Sequence, residues 1–194
     1  MVATERDTPR WGGVQPSGVR FDQIYGDNSS TGEGQTPFDT DGDGAATQED
    51  EFVSISNDNA TPLDISGWQI WSDSTGSDAP DRPVDGLYHT FRPGTVLQPG
   101  ETLYIVNEIT GPAPSWAQEA SEGGVESGSG GVRTNLLTEG SSGCAGEAIA
   151  LVDPSSGDYI VFNMSTRQPN VQNETGFPGT NNVGTEEGHA VMPD

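Results

Sequence analysis

The chain has 194 residues, enough for one domain with tails, and its 27 glycines and 14 prolines argue against a helical protein. Its formal charge of −23 comes from 30 acidic residues and only seven basic ones, all of which are arginine. Such a surface repels phosphate backbones and anionic lipids, so we expect no nucleic-acid partner. It suits divalent cations, solubility at high salt or a basic partner, and it fits a marine or halophilic source.

Neither a disulfide nor a membrane segment is expected. Cys144 is the single cysteine, which excludes an intrachain disulfide. Residues 1–17 contain no apolar stretch of the signal-peptide kind, and no apolar run reaches the length of a membrane span. We therefore expect no membrane insertion. If the protein is exported, we expect either a route without a cleaved N-terminal signal or that the sequence is a fragment of a larger protein.

Short apolar runs between turn residues predict an all-β sandwich of about seven to nine strands. The expected strands, in chain order, are 19–25, 52–55, an edge segment at 62–65, 67–71, 88–91, 102–106, 148–152 and 159–162. Alternation places Trp68 and Ile70 on one face of their strand and Gln69 and Trp71 on the other. The expected core is Val19, Phe21, Phe52 or Val53, Ile55, Trp68, Ile70, Leu103, Ile105, Ile149, Leu151 and Ile160.

The segments outside these strands are polar and rich in glycine. Residues 1–17 are interpreted as an N-terminal tail, 18–165 as the sandwich, and 166–194 as a C-terminal tail or linker. The sandwich carries an insertion at 110–145, in which a helical turn over 116–120, capped by Ser115, is predicted.

An acidic loop before the second strand has the spacing of a calcium site. Carboxylates alternate and a glycine follows, so the side chains can converge on one ion while the chain turns sharply. The closing Glu of an EF-hand is missing and a strand follows, so we predict a Ca²⁺ loop on a β-scaffold. The alternative is an unliganded acidic turn. The candidate ligands are Asp39, Asp41, Asp43, Ala45 through its carbonyl, Thr47 and Asp50.

Catalytic chemistry finds little support in the sequence. The chain offers two histidines and one cysteine, lacks a nucleophile elbow and has no Cys/His cluster for zinc. Alternation in the strand 88–91 sends His89 toward solvent. We therefore expect a protein that is not an enzyme. Trp71, on the outer strand face, and Trp116, in the insertion, are the candidates for a partner or ligand surface.

Four motifs in order resemble the lamin tail domain over about residues 18–164. They are Glu51–Ile55, Pro62–Trp68, Thr95–Glu101 and Gly146–Pro154. The chain departs from the family pattern at Ser54, where a second acidic residue is usual, and in its long insertion. The resemblance implies an immunoglobulin-like β-sandwich, closer to bacterial members than to nuclear lamins. Bacterial members often occur in secreted, cell-surface or multi-module proteins.

Two functions follow as expectations. The first is a calcium-stabilised structural or interaction module in an extracellular or supramolecular assembly, with a protein partner or self-assembly through strand edges or the insertion. The second is a ligand-binding module, for instance for glycans, that uses Trp71 and Trp116.

Overall fold

The computed structural model describes residues 18–25, 39, 51–74, 86–107, 109, 111–122, 147–163 and 171–187. Within these ranges the chain forms eleven strands and one 3₁₀ turn at Val171–Asn173, and no α-helix. The strands are β1 (Val19–Tyr25), β2 (Phe52–Asn57), β3 (Leu63–Asp64), β4 (Gln69–Ser74), β5 (Gly86–Thr90), β6 (Val96–Leu97), β7 (Thr102–Val106), β8 (Ala117–Glu119), β9 (Glu147–Val152), β10 (Asp158–Asn163) and β11 (Asn181–Glu187).

Nine of these strands form two sheets. Sheet I has the order β1-β2-β7-β8, and sheet II has the order β11-β10-β9-β4-β5. The two short strands β3 and β6 pair with each other separately. The prediction of an all-β sandwich is confirmed.

The core lies between the inner faces of the two sheets, where period-2 alternation places one apolar residue in two. In β2 the inward residues are Val53 and Ile55, whereas Phe52 faces outward into a separate cluster. A register shift in β1 between Phe21 and Gln23 changes the parity of the strand, so that Ile24 also points inward. The remaining predicted core residues lie in this cluster, apart from Trp68.

Trp68, which was predicted to contribute to the core, is half-buried and packs against the edge of the core without being one of its buried members. A tight turn places it there. Gly67 has a φ of +78°, which favours glycine. The Trp68 N–H donates to the Ile65 carbonyl at 3.0 Å, and the Ser66 N–H donates to the Asp64 carboxylate at 2.9 Å. Asp64 therefore acts as the acceptor that holds this turn, a role that is common for an Asp at the start of a turn.

Residues 171–187 belong to the folded body, which corrects the expectation of a tail or linker over 166–194. β11 pairs in parallel with β10 at the edge of sheet II. The chain before β11 covers the outer face of that sheet, where the rings of Trp71 and Phe177 meet edge-on at 5.5 Å. Val171 is wholly buried in the same cluster. Sheet II is therefore buried on both faces.

Residues 117–119 form a strand, so the predicted helical turn at 116–120 is wrong. β8 pairs in parallel with β7, with Tyr104 opposite Ala117. The Ala120 N–H extends this pairing by donating to the Val106 carbonyl at 2.8 Å. Sheet pairing therefore overrides the local helical signal of Ser115.

We predict that Phe177→Ala lowers the free energy of unfolding by about 1–3 kcal/mol, because it removes a half-buried ring that contacts Trp71 and Tyr159. Urea denaturation measures the change. Thr175→Ala, at an exposed position of the same segment, is the control and should change stability by less than about 0.5 kcal/mol. Equal effects of the two substitutions would show that the segment does not pack on sheet II.

Candidate interaction surface

The predicted calcium loop falls mostly outside the described residues. Asp39 is described and is exposed. The other five candidate ligands lie outside the described ranges: Asp41, Asp43, Ala45, Thr47 and Asp50. In the described part of the chain no group of three or more His, Cys, Asp or Glu side chains is arranged to hold a metal.

The two ends of this loop, which spans 26–50, are held side by side. Tyr25, the last residue of β1, pairs with Phe52, the first residue of β2. Their rings stack with a centroid distance of 5.5 Å. An ordering event within the loop would therefore act directly on the β1–β2 hairpin.

Buried hydrogen bonds through Asn107 connect the start of β2 to both sheets. Glu51 is wholly buried, and its carbonyl accepts a hydrogen bond from the Asn107 N–H at 3.0 Å. The Tyr88 hydroxyl, on sheet II, donates to the Asn107 side-chain oxygen. Burial and the nearby charge of Glu51 raise the pKa of Tyr88 well above its ordinary value. The tyrosine therefore stays protonated and acts as a donor.

An aromatic row crosses the outer face of sheet I and ends at Trp116. Phe52 lies between Tyr25 and Tyr104, and its ring meets that of Tyr104 at 5.4 Å. Tyr104 in turn meets Trp116 edge-on at 5.6 Å. Exposure rises along the row, from 1% at Tyr25 and 4% at Phe52 to 51% at Trp116. The row therefore supports one indole that projects into solvent.

The backbone around Trp116 is fixed as well as its ring. The Trp116 carbonyl accepts a hydrogen bond from the Tyr104 N–H at 3.0 Å, and the Ala117 N–H donates to the Pro114 carbonyl at 3.1 Å. Pro112 and Pro114 restrict the segment before it. A large aromatic side chain held at low entropic cost is typical of an interaction hot spot.

Trp71, the second predicted surface residue, is only 6% exposed, so its expected role as an exposed aromatic is wrong. It does lie on the outer face of β4, as alternation predicts. The 171–179 segment covers that face, and the Trp71 indole N–H donates to the Gln69 side chain at 2.9 Å.

His89 is buried, with 1% of its surface exposed, so the expectation that it faces solvent is also wrong. Its Nδ1 accepts a hydrogen bond from the Ser121 N–H at 3.1 Å, which leaves the proton on Nε2. Nε2 then donates to the Gln118 side-chain oxygen at 3.2 Å. Gln118 donates onward to Thr95 at 2.9 Å. The neutral imidazole thus joins edge strand β5 of sheet II to the end of β8 in sheet I.

The sequence analysis did not identify Tyr104 as the support of Trp116 or His89 as a link between the two sheets. The available signal for Tyr104 was the pairing register, since Phe52 lies opposite Val106 and therefore diagonal to Tyr104. His89 carried no local signal, because its partners Gln118 and Ser121 are about 30 residues away in a segment interpreted as a loop.

The His89 interaction predicts a specific dependence of stability on pH. Burial, opposed by the Gln118 hydrogen bond and aided by the charge of Arg92, lowers the pKa of His89 from 6.5 to about 4. Between pH 4 and pH 6.5 the unfolded chain binds a proton at His89 that the folded chain does not. The contribution of the neutral imidazole to the free energy of unfolding is therefore complete above pH 6.5 and is lost toward pH 4. Between pH 7.5 and 5, wild type should lose about 2 kcal/mol more unfolding free energy than His89→Gln.

Urea denaturation at the two pH values measures this difference, and the comparison between variants cancels the titration of the many carboxylates. His189→Gln is the control and should behave as wild type does. If wild type and His89→Gln lose the same free energy, the imidazole is not held neutral in the fold.

Comparison with known proteins agrees with this architecture. Among the described residues no helix is long and apolar enough to span a membrane. The family model of the lamin tail domain matches residues 15–166, which contain β1 to β10, whereas β11 lies beyond the match. No curated protein and no solved structure matches the chain. Lamin tail domains are immunoglobulin-like interaction modules without enzymatic activity. The match covers most of the chain and agrees with its two-sheet fold, so the chain belongs to the lamin tail domain family.

Proposed function

We propose that this lamin tail domain is a non-catalytic, calcium-stabilised interaction module of an extracellular or supramolecular assembly. It binds a protein partner or another copy through the insertion 110–145, with Trp116 as the central anchor. Membership of the family supports the interaction role, and the charge of −23 is in keeping with a module that meets cations or basic partners.

The half-exposed indole of Trp116 carries this proposal. Trp116 and Val96 are the large hydrophobic residues exposed among the described ones. Val96 belongs to the two-residue strand β6, whereas Trp116 stands at the end of a packed aromatic row. Burial of Trp116 by a partner would remove apolar area from water without the entropic cost of ordering a mobile side chain.

The glycan-binding alternative has less support. Trp71 is buried, so it offers no second platform beside Trp116. The rings of Trp116 and Tyr104 are nearly perpendicular, at 88°, and do not form one flat surface on which a sugar could stack. This geometry favours a protein surface that encloses the indole.

Strand edges give a secondary route for association. β1 and β8 are the edges of sheet I, and β5 and β11 are those of sheet II. The β5 edge is occupied, because the Glu122 N–H donates to the Tyr88 carbonyl at 3.1 Å and the Thr90 N–H donates to the Ser121 hydroxyl at 2.9 Å. Edge-to-edge association would therefore use β1 or β11 in preference to β5.

Calcium binding to the 26–50 loop would stabilise the module through the β1–β2 hairpin. Oxygen donors without a Cys/His cluster favour a hard cation. The pairing of Tyr25 with Phe52 means that ordering of the loop would reinforce a contact already built into sheet I. Neutralisation of the loop carboxylates would also relieve repulsion on a chain with a charge of −23.

For the interaction role, we predict that Trp116→Ala reduces association at least tenfold while the unfolding midpoint changes little. Affinity capture from an extract of the source organism, quantified by mass spectrometry, and sedimentation equilibrium of the pure protein measure the two forms of association. Val96→Ala, at the other exposed hydrophobic position, is the matched control. Association of Trp116→Ala equal to that of Val96→Ala would refute the role of Trp116.

For the metal, we predict that saturating Ca²⁺ at a hundred times the dissociation constant raises the free energy of unfolding by about 2.7 kcal/mol. Weak extracellular sites bind at about 10⁻⁴–10⁻³ M, so millimolar titrations are needed. Thermal unfolding with Ca²⁺ or chelator should show the shift in wild type and not in the Asp41→Ala/Asp43→Ala double variant. Identical midpoints in all four samples would make this loop an unliganded acidic turn.

A further inference from the structure

A cavity of about 440 Å³ opens at the end of the sandwich where the β9–β10 hairpin turns. Its base is apolar and includes the buried residues Leu151 and Ile160. Trp68, which is half-buried, lines it with an aromatic side chain, whereas the ring of Tyr159, another lining residue, packs against Phe177 on the outer face of sheet II. Its volume falls in the range of about 300–1,000 Å³ that is usual for ligand sites. The cavity gives a functional reason for the half-buried position of Trp68 at the edge of the core.

The C-terminal segment helps to build this cavity. The register of β11 against β10 shifts between Tyr159 and Ile160, so that Val183 is an extra residue in its strand. Val183 packs against the core and lines the cavity. This wall is built by β11, which lies beyond the segment that the family model matches.

The carboxylates that line the cavity are Asp153 and Asp158, and the described lining contains no basic residue. Burial would raise the pKa of Asp153, but hydrogen bonds from Ser155 and Ser156 outweigh this and hold it below its ordinary value. Asp153 is therefore ionised at neutral pH. Arg20 of β1, which is not part of the lining, is paired with Asp22 and Asp58, each at 2.8 Å.

The Asp158 carboxylate is positioned in advance. Its Oδ1 accepts a hydrogen bond from the Asn181 side-chain N–H at 2.7 Å, again a contact from β11. Its other oxygen accepts no hydrogen bond from the described residues. A fixed carboxylate with an available oxygen, in a cavity that Trp68 also lines, is suited to a planar cationic donor.

We propose that this cavity binds an arginine side chain of a basic partner segment. The guanidinium donates to Asp158 and stacks against an aromatic ring, and its alkyl stem packs on the apolar base. A lysine ammonium lacks the planar fork and stacks less well. The excess of negative charge on the chain attracts such a segment and raises its rate of encounter.

This inference rests on the proposed interaction function, since it names the chemistry of a partner, but it concerns a surface separate from Trp116. Trp116→Ala should therefore leave arginine binding at the cavity unchanged. Loss of association in Trp116→Ala and loss of arginine binding in a cavity variant are thus independent results.

The test is an NMR titration of the full chain with N-acetyl-arginine N-methylamide, followed at the indole N–H of Trp68. The citrulline analogue, which has nearly the same shape and no charge, is the matched probe. The arginine probe should bind at least tenfold more tightly than the citrulline probe. Asp158→Asn should weaken its binding at least fivefold, and Thr61→Phe, which fills the exposed rim, should block it.

Glu122→Gln is the control for bulk charge, because it removes one exposed carboxylate outside the cavity lining. It should keep the affinity of wild type within about twofold. Equal binding of the two probes, equal losses in Asp158→Asn and Glu122→Gln, or a Trp68 signal that moves with maltotriose and not with arginine would each overturn the proposal. Thr61→Phe leaves Asp158 in place, so the proposal can still be judged if Asp158→Asn fails to fold.

Discussion

The complete burial of β2 is the constraint on which the rest of the structure depends. All six of its residues, Phe52–Asn57, are buried, so a polar side chain in this strand can find hydrogen-bond partners only inside the protein. Asn57 does so by donating to the carbonyls of Thr61 and Leu97 at 3.0 and 2.9 Å and by accepting from the Asn59 N–H at 2.9 Å. These bonds fix the turn after β2, where Asn59 lines the cavity. At its other end β2 begins at the acidic loop and provides Phe52 to the aromatic row. One strand thus links the three candidate functional features.

The outer face of sheet II is apolar, but the C-terminal segment of the chain covers it. The outer face of this sheet includes the apolar residues Trp71, Ala150 and Val161 and would favour association with other proteins if it were exposed to solvent. Residues 171–187 cover that face and extend the sheet by one strand, and they lie beyond the segment that the family model matches. With that face covered, and with Tyr25 and Phe52 buried on sheet I, Trp116 is the aromatic side chain that the described part of the chain exposes to a partner. The same segment positions Asn181 and Val183 at the cavity.

The strands that could be predicted are those whose own sequence shows an alternating apolar pattern. Alternation in β2, β7, β9 and β10 gave the inner faces correctly, and the Asp64–Gly67 turn followed from local backbone chemistry. β8 and β11 could not be predicted, because β8 has three residues and β11 is polar, and each exists only by pairing in parallel with a distant strand. Trp71 and His89 were misassigned for the same reason, since the segments that bury them have no apolar pattern. For the candidate surface, Trp116 could be named from its polar surroundings, whereas the support from Tyr104 depends on strand register.

Binding of a partner at Trp116 can be observed by ¹⁹F NMR of the protein labelled with 5-fluorotryptophan, in which the four tryptophans give four assignable signals. On association with a captured partner or with further copies, the Trp116 signal should shift or broaden while that of the buried Trp71 stays in place. If a complex forms and the Trp116 signal stays unchanged, partners do not bind at Trp116.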